Sequence, residues 1–358
     1  MERTAASVFG VVVRFNYLII GQGIAGSLLA RNLLKRQQTV LVVDNNHHWS
    51  SSSISTGIIN PITGKRLALT PQFDLFFQHA MRVYDDLSQE FKQPFFTPKP
   101  VIRIFQDQVE RDQFLLKTDL KSLIEAIKEA GAWGSHVHDP FGSVIFNSGG
   151  YCHASSILNA IRHDFATKAL LVNSKLLLNE LVINAEGVQW QGHEFDHIIF
   201  CEGFQSVGNP WFNDLPFNNA KGEIIHFTLA STALPDAIIV QTKWCAPLQD
   251  GVWAAGATYD RDVLNCQATD QAIKDINDGL AKFIIPKGVI IKHMAAVRPV
   301  MIDQMPVLGF HPTEHRVGIF NGLGSKGFLM APFYADMLAD HLIGGKELPR
   351  TVDVKRFK

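Results

Sequence analysis

The chain has 358 residues, enough for two domains with cores of their own. Apolar residues make up 46% and charged residues 19%, a balance that excludes a long disordered protein. The net charge of −1 offers nucleic acid or an anionic membrane no overall basic field, though it leaves room for a local basic patch.

The four cysteines, Cys152, Cys201, Cys245 and Cys266, form no C-x-x-C pair. Neither a zinc site nor a dithiol motif is written, and scattered thiols point to a reducing compartment. His193 and His197 stand four apart in a turn entering a strand, where that spacing makes no ligand pair, so no metal is expected. No run reaches the ~18 apolar residues of a membrane span. Residues 1–14 resemble a weak signal peptide without a clear cleavage site. They are read as a leader of unknown role, and the protein as cytoplasmic.

In chain order, 16–20 (NYLII) reads as a buried strand, 24–38 as a helix and 39–44 (TVLVVD) as a second strand. This is a β-α-β unit. Apolar residues at 73, 76, 77, 80, 81, 84, 87 and 91 repeat every 3.6 residues and predict a helix. A strand follows at 101–106, then helices around 110–130 that stop at Gly131, then a helix at 151–166. Segments 169–178, 187–192 and 197–204 read as strands. From 221 to 300 strands dominate, with Gln249-Asp250-Gly251 as a hairpin turn and one helix near 268–284. The end is a strand at 316–320, a glycine turn and a helix to Gly344. The fold class is therefore α/β with an α+β second domain: a Rossmann-like nucleotide domain holding an inserted, mainly antiparallel β-sheet substrate domain. The nucleotide domain is assigned 15–80, 145–220 and 296–358, and the substrate domain 81–144 and 221–295.

In "YLIIGQGIAGSLLARNLLKRQQTVLVVDNN", Gly21 permits the tight turn, Gly23 admits backbone close to a pyrophosphate, and Gly26 lets helix pack on strand. Ile24 and Ala25 open the helix, whose N-terminal amides and dipole suit phosphate. Asp44 stands where a carboxylate accepts ribose hydroxyls and disfavours a 2′-phosphate, and Asn45 lies beside it. This unit alone does not separate NAD from FAD.

Five further segments occur in order: "SSSISTGIINPITGKR", "GGYCHASSILNAI", "GATYDRD", "VRPVMIDQMPVLG" and "GLGSKGFLMAPFYADMLADHLIGG". Together they resemble the D-amino acid oxidase superfamily of FAD-dependent oxidoreductases, which includes glycine oxidase and monomeric sarcosine oxidase. "GGYCHASSIL" and "GLGSKGFLMAP" are most similar to the FAD domain of bifunctional bacterial enzymes that make 5-methylaminomethyl-2-thiouridine in tRNA. The resemblance spans nearly the whole chain.

By that resemblance the cofactor is FAD, with Ser52 and Ser53 near phosphate, Gly57 and Ile58 pressing backbone toward the isoalloxazine, and Gly203 in the set. An ordinary flexible Ser-rich loop is the alternative for 51–61. Gly322, Gly324, Ser325, Lys326 and Gly327 precede the last helix, a turn that points amides and a helix N-terminus at the negative charge of a reduced flavin. Two readings stand open for Lys326: a cation beside the flavin, or a solvated lysine. Arg298 is the one arginine in an apolar strand, and the resemblance implies that it anchors a substrate carboxylate; an internal salt bridge is the alternative. Sarcosine oxidases attach flavin through a Cys soon after this point, and "RPVMIDQMP" has none, so non-covalent FAD is expected.

The resulting expectation is oxidation of the C–N bond of a small carboxylated amine, an amino acid or N-substituted glycine, by hydride transfer to flavin N5. Oxygen or another oxidant is the acceptor. A tRNA wobble-uridine-modifying oxidoreductase is the alternative, disfavoured by the missing methyltransferase half and basic balance. A non-catalytic flavin-binding subunit or sensor is a third reading.

Overall fold

A computed structural model describes residues 13–46, 50–64, 67–229, 234–285 and 288–357. Most of the leader assigned to 1–14 lies outside the described residues.

The opening unit is β1 (Arg14–Ile20), α1 (Ile24–Lys35) and β2 (Val40–Val43). One helical turn, α2 (Ser51–Ile54), leads to β3 (Ile58–Ile59) and a hairpin of β4 (Ile62–Thr63) and β5 (Ala68–Leu69). In α3 (Phe73–Phe91), Phe73, Phe76, Ala80, Tyr84 and Leu87 are buried along one stripe, as the apolar period predicts. Then come β6 (Phe96–Pro98), β7 (Val101–Ile104), α4 (Gln108–Leu115), β8 (Ile124–Lys128), β9 (Ser143–Phe146) and β10 (Gly150–Cys152). α5 (Ala154–Thr167) precedes β11 (Leu171–Val172), β12 (Val182–Asn184), β13 (Gly187–Trp190) and β14 (His193–Phe200). The antiparallel block is β15 (Ala220–Leu229), β16 (Ile238–Val240), β17 (Trp244–Pro247), β18 (Val252–Gly256), α6 (Asp270–Leu280) and β19 (Gly288–Arg298). The chain closes with β20 (Val307–Phe310), β21 (Val317–Asn321) and α7 (Gly327–Gly344).

Two compact units result. The first comprises 1–53, 155–219 and 298–358. Its sheet runs β11-β2-β1-β14-β13-β12, with β21 paired to β14 and β20 to β21. The pairs β11·β2, β2·β1, β1·β14 and β14·β21 are all parallel, so these strands end at one carboxyl edge. Leu18, Ile20, Leu41, Val43, Ile198, Phe200, Val317 and Ile319 face one core on this sheet. The second unit comprises 54–154 and 220–297. It carries an eight-stranded sheet, β19-β15-β18-β17-β16-β7-β9-β8, and a three-stranded sheet β3-β10-β6; in the larger sheet β15·β18, β18·β17, β17·β16, β7·β9 and β9·β8 are antiparallel and β16·β7 is parallel. Asp250 and Gly251 take φ of 57° and 72° between β17 and β18, the left-handed pair a two-residue hairpin needs.

Three expectations meet a different structure. Residues 124–128 form strand β8, not helix: Ile124 and Ala126 turn inward, Glu125 outward, and pairing with β9 overrides a helix-favouring composition. Only Leu171–Val172 of 169–178 is strand, because β11 runs out of partner beyond β2. Residues 54–80 and 145–154 group with the second unit rather than the first, since β3 pairs with β10 and β10 with β6.

Candidate functional site

The glycines of the opening turn serve separate ends. Gly21 has φ 97°, and a Cβ there would meet the Cys201 carbonyl oxygen at 2.5 Å. A Cβ on Gly26 would fall 1.9 Å from the Gly21 carbonyl oxygen, so only glycine lets α1 sit on β1. Gly23 differs: a Cβ would meet only the Ser52 hydroxyl, at 3.2 Å. Gly23 is the N-cap of α1 and brings no side chain, and Ile24 N–H donates to Ser52 Oγ at 3.2 Å. Ile24 and Ala25 are buried in the first turn. Ser53 lies within α2, its amide donating to Ser50 Oγ at 3.0 Å and its carbonyl accepting from Ser155 Oγ at 3.0 Å.

Asp44 is buried at the end of β2. Its Oδ2 accepts from Gln22 N–H at 2.9 Å, and its Oδ1 from Asn46 N–H at 2.7 Å. Asn45 is exposed beside it. Arg162 of α5 also reaches Oδ1, at 2.9 Å. Arg162 and Gln22 were missed by sequence reasoning; 118 residues separate Arg162 from Asp44, and an arginine in a helix carries no signal of such a partner.

At the same carboxyl edge, Gly322 and Gly324 take φ of 76° and 56°. Gly322 N–H donates to Asn321 Oδ1 at 2.9 Å, while Asn321 Nδ2 donates to the Gly203 carbonyl at 2.9 Å and to Ser206 Oγ at 2.6 Å. This ties Gly203 to the turn. Cβ atoms on Gly203 or Gly324 would meet only Pro299 Cγ at 4.0 Å and Val300 Cγ2 at 3.6 Å, so backbone there stands open to a close neighbour. Ser325 is exposed. A Cβ on Gly327 would lie 3.4 Å from Ile24 Cγ2, so the N-termini of α1 and α7 abut. Lys326 caps α7 without a side-chain hydrogen bond, and among the described residues nothing pairs with its ammonium. Burial lowers its pKa below the ordinary lysine value. Burial also raises the Glu202 carboxyl, against an Asn209 amide donating at 2.9 Å.

Arg298 ends β19, half-buried. Its neighbour Pro299 accepts from Gly324 N–H at 2.9 Å, and Val300 bridges Leu323, so Arg298 adjoins the glycine turn. The first unit thus brings together Gly21, Gly23, Ile24, Ala25, Gly26, Asp44, Asn45, Ser52, Ser53, Gly203, Arg298 and Gly322–Gly327. Gly57 and Ile58 belong to the second unit, in and before β3. Gly57 has φ 71°, and a Cβ would strike the Cys152 carbonyl at 2.2 Å, so the pairing of β3 with β10 alone requires this glycine.

Two adjoining helix N-termini, an open glycine at each, and a buried acid at the end of β2 fit a dinucleotide: amides and dipoles for phosphate, a carboxylate for ribose. The family model for FAD dependent oxidoreductases matches residues 16–341. The chain belongs to the DAO family of FAD-dependent oxidoreductases. Its cofactor is FAD. Among relatives, the chain is 22% identical to a glycine oxidase of Pseudomonas putida, covering 92% of this chain and 95% of that one. It is 30% identical over 160 residues to a tRNA 5-methylaminomethyl-2-thiouridine biosynthesis bifunctional protein of Aromatoleum aromaticum. That match spans 38% of this chain and about a quarter, 24%, of the relative's length. The fold is that of the glycine oxidase structure from Geobacillus kaustophilus, with TM-score 0.80, 16% identity, and coverage of 97% and 98% of the two chains. No helix of the described residues is long and apolar enough to cross a membrane.

Proposed function

We propose that this DAO-family member oxidises the C–N bond of a small carboxylated amine, an amino acid or an N-substituted glycine. FAD, when bound, would supply the acceptor for the hydride, one proton with two electrons, of the substrate α-C–H. The chain's residues orient and hold. Arg298 takes the substrate carboxylate in its fork, fixing the α-carbon relative to the cofactor. The α7 N-terminus and Lys326 supply positive charge where the cofactor gains negative charge on reduction. Gly23, Ser52 and the α1 N-terminus hold the pyrophosphate, and FAD is held without a covalent bond. No thiol stands in the segment after Arg298 to attach it. All four cysteines are free, which supports a cytoplasmic setting.

The observation that supports this reading is the hydrogen bond from Gly324 N–H to Pro299 O at 2.9 Å, which ties the backbone that follows Arg298 to the α7 turn. The test is anaerobic bleaching of the flavin by glycine, sarcosine, proline and D-amino acids. Carboxylated amines should bleach it and their decarboxylated counterparts should not; equal bleaching by both rejects the reading. Oxygen uptake in an aerobic arm separates an oxidase from a dehydrogenase.

A second reading, oxidation of a carboxymethylaminomethyl group on a tRNA wobble uridine, is favoured by the relatives at 30% and 31% identity that carry the bifunctional tRNA-biosynthesis name. That substrate is also an N-substituted glycine, so Arg298 keeps its role. Bleaching by the modified tRNA, with free amines inert, would decide for it.

A further inference from the structure

The Asp44 carboxylate has four lone-pair directions to fill. Oδ1 holds two donors, Asn46 N–H at 2.7 Å and Arg162 Nη1 at 2.9 Å, and Oδ2 holds Gln22 N–H at 2.9 Å. Among the described residues, one direction on Oδ2 remains. Arg162 is itself locked. Nη1 also donates to Gln22 Oε1 at 3.1 Å and Nη2 to Asn173 Oδ1 at 3.0 Å. Gln22 is fixed in turn by its Nε2, which donates to Ser27 Oγ at 2.9 Å and Leu158 O at 3.1 Å. The side chains of Asp44 and Arg162 are 7% and 16% exposed, so the pair is shielded from water and its geometry is held.

We infer that Arg162 is a positioning residue for the cofactor: it pins Asp44 through Oδ1 so that Oδ2 presents a single acceptor to one ribose hydroxyl of FAD. The inference rests on the assignment of the adenosine ribose to Asp44. Arg162 has a second consequence. A bare carboxylate beside an anionic pyrophosphate repels it, and the guanidinium offsets that charge.

The experiment is a double-mutant cycle on FAD affinity, read by quenching of flavin fluorescence as FAD is titrated into apoprotein. The proteins are the parent, Arg162→Met, Arg162→Lys, Asp44→Ala and Asp44→Ala/Arg162→Met, each with its apoprotein Tm. Arg162→Met is expected to weaken FAD about tenfold or more. Arg162→Lys should recover part of this, because one ammonium replaces part of the fork. In the Asp44→Ala background the Arg162→Met loss should shrink to threefold or less. A loss of the same size in both backgrounds overturns the inference, since Arg162 would then act without Asp44. No loss in Arg162→Met also overturns it. If Asp44→Ala itself leaves FAD affinity unchanged while Gly23→Val abolishes binding, the ribose assignment has failed and the inference fails with it, although the pyrophosphate site stands.

Discussion

Gly23 and Gly26 stand three residues apart and answer to different constraints. Gly26 is fixed by the protein alone, because its Cβ would overlap the Gly21 carbonyl at 1.9 Å. Gly26→Ala should therefore lower apoprotein stability by about 3 kcal/mol, whether or not FAD is added, as urea unfolding will measure. Gly23 has room except for Ser52, so Gly23→Val should fold as the parent does and fail to retain FAD; a yellow Gly23→Val protein with full flavin occupancy rejects the pyrophosphate assignment. The spacing was legible in the sequence because it is steric and local, whereas Arg162 and Asn321 were not, since their roles arise only when distant strands and helices meet at one sheet edge. Arg298→Ala tests the carboxylate anchor: flavin content and Tm should hold while kcat/KM for carboxylated amines falls roughly a few hundred-fold. A fast reductive half-reaction in that variant removes Arg298 from the reading. Lys326 adds a pH signature. Burial depresses its folded pKa below the unfolded value, so between the two the unfolded chain binds more protons and apoprotein stability rises with pH. Lys326→Met should remove that rise, raising stability below the folded pKa and matching the parent as pH approaches the ordinary lysine range.

At the level of elements, the sequence specified a helix or strand best where one period ran long. The stripe of α3, the alternation and apolar content of the antiparallel strands, and the Asp-Gly hairpin were all readable. β8 was not, because Glu, Ala and Lys favour a helix locally and only the edge of β9 makes the segment extended. α6 illustrates a boundary set by both kinds of force. Thr269 caps it, accepting from Ala272 N–H at 3.3 Å, and its own hydroxyl donates to Glu223 Oε1 at 3.0 Å. Glu223 is buried and also meets Lys221 Nζ at 3.0 Å and His293 Nε2 at 2.9 Å. The sequence placed a helix near 268–284, but neither the cap nor the buried acid behind it was read from it. Thr269→Ala removes the cap and one donor to a buried carboxylate, at a cost of about 1–2 kcal/mol, while Thr269→Ser keeps both. A urea midpoint equal to the parent's for Thr269→Ala would mean that α6 starts without this cap.

Across the whole molecule, the chain passes between its two units at 53/54, 154/155, 219/220 and 297/298, so neither unit is one continuous segment. The sequence announced the insertion through its switch from β-α-β to antiparallel patterning, but not that 54–80 joins the second unit, because that depends on the pairing of β3 with β10. The discontinuity bears on stability. Residues assigned to FAD come from all three segments of the first unit: Gly23, Asp44 and Ser52 from the first, Gly203 from the second, and the Gly322–Gly327 turn from the third. A ligand bound to such a site exists only when the three segments are assembled, so it stabilises the native chain alone. At a free FAD concentration of 100 times Kd the gain is about 2.7 kcal/mol, which for a unit of this size raises Tm by about 5–11 °C. Scanning calorimetry of apoprotein, prepared by acid release of the yellow cofactor, should show that rise on adding FAD, and Gly23→Val should show none. Flavin that stays on the chain after acid precipitation would reject the non-covalent assignment. A parent Tm indifferent to FAD would mean that the three segments do not share one cofactor.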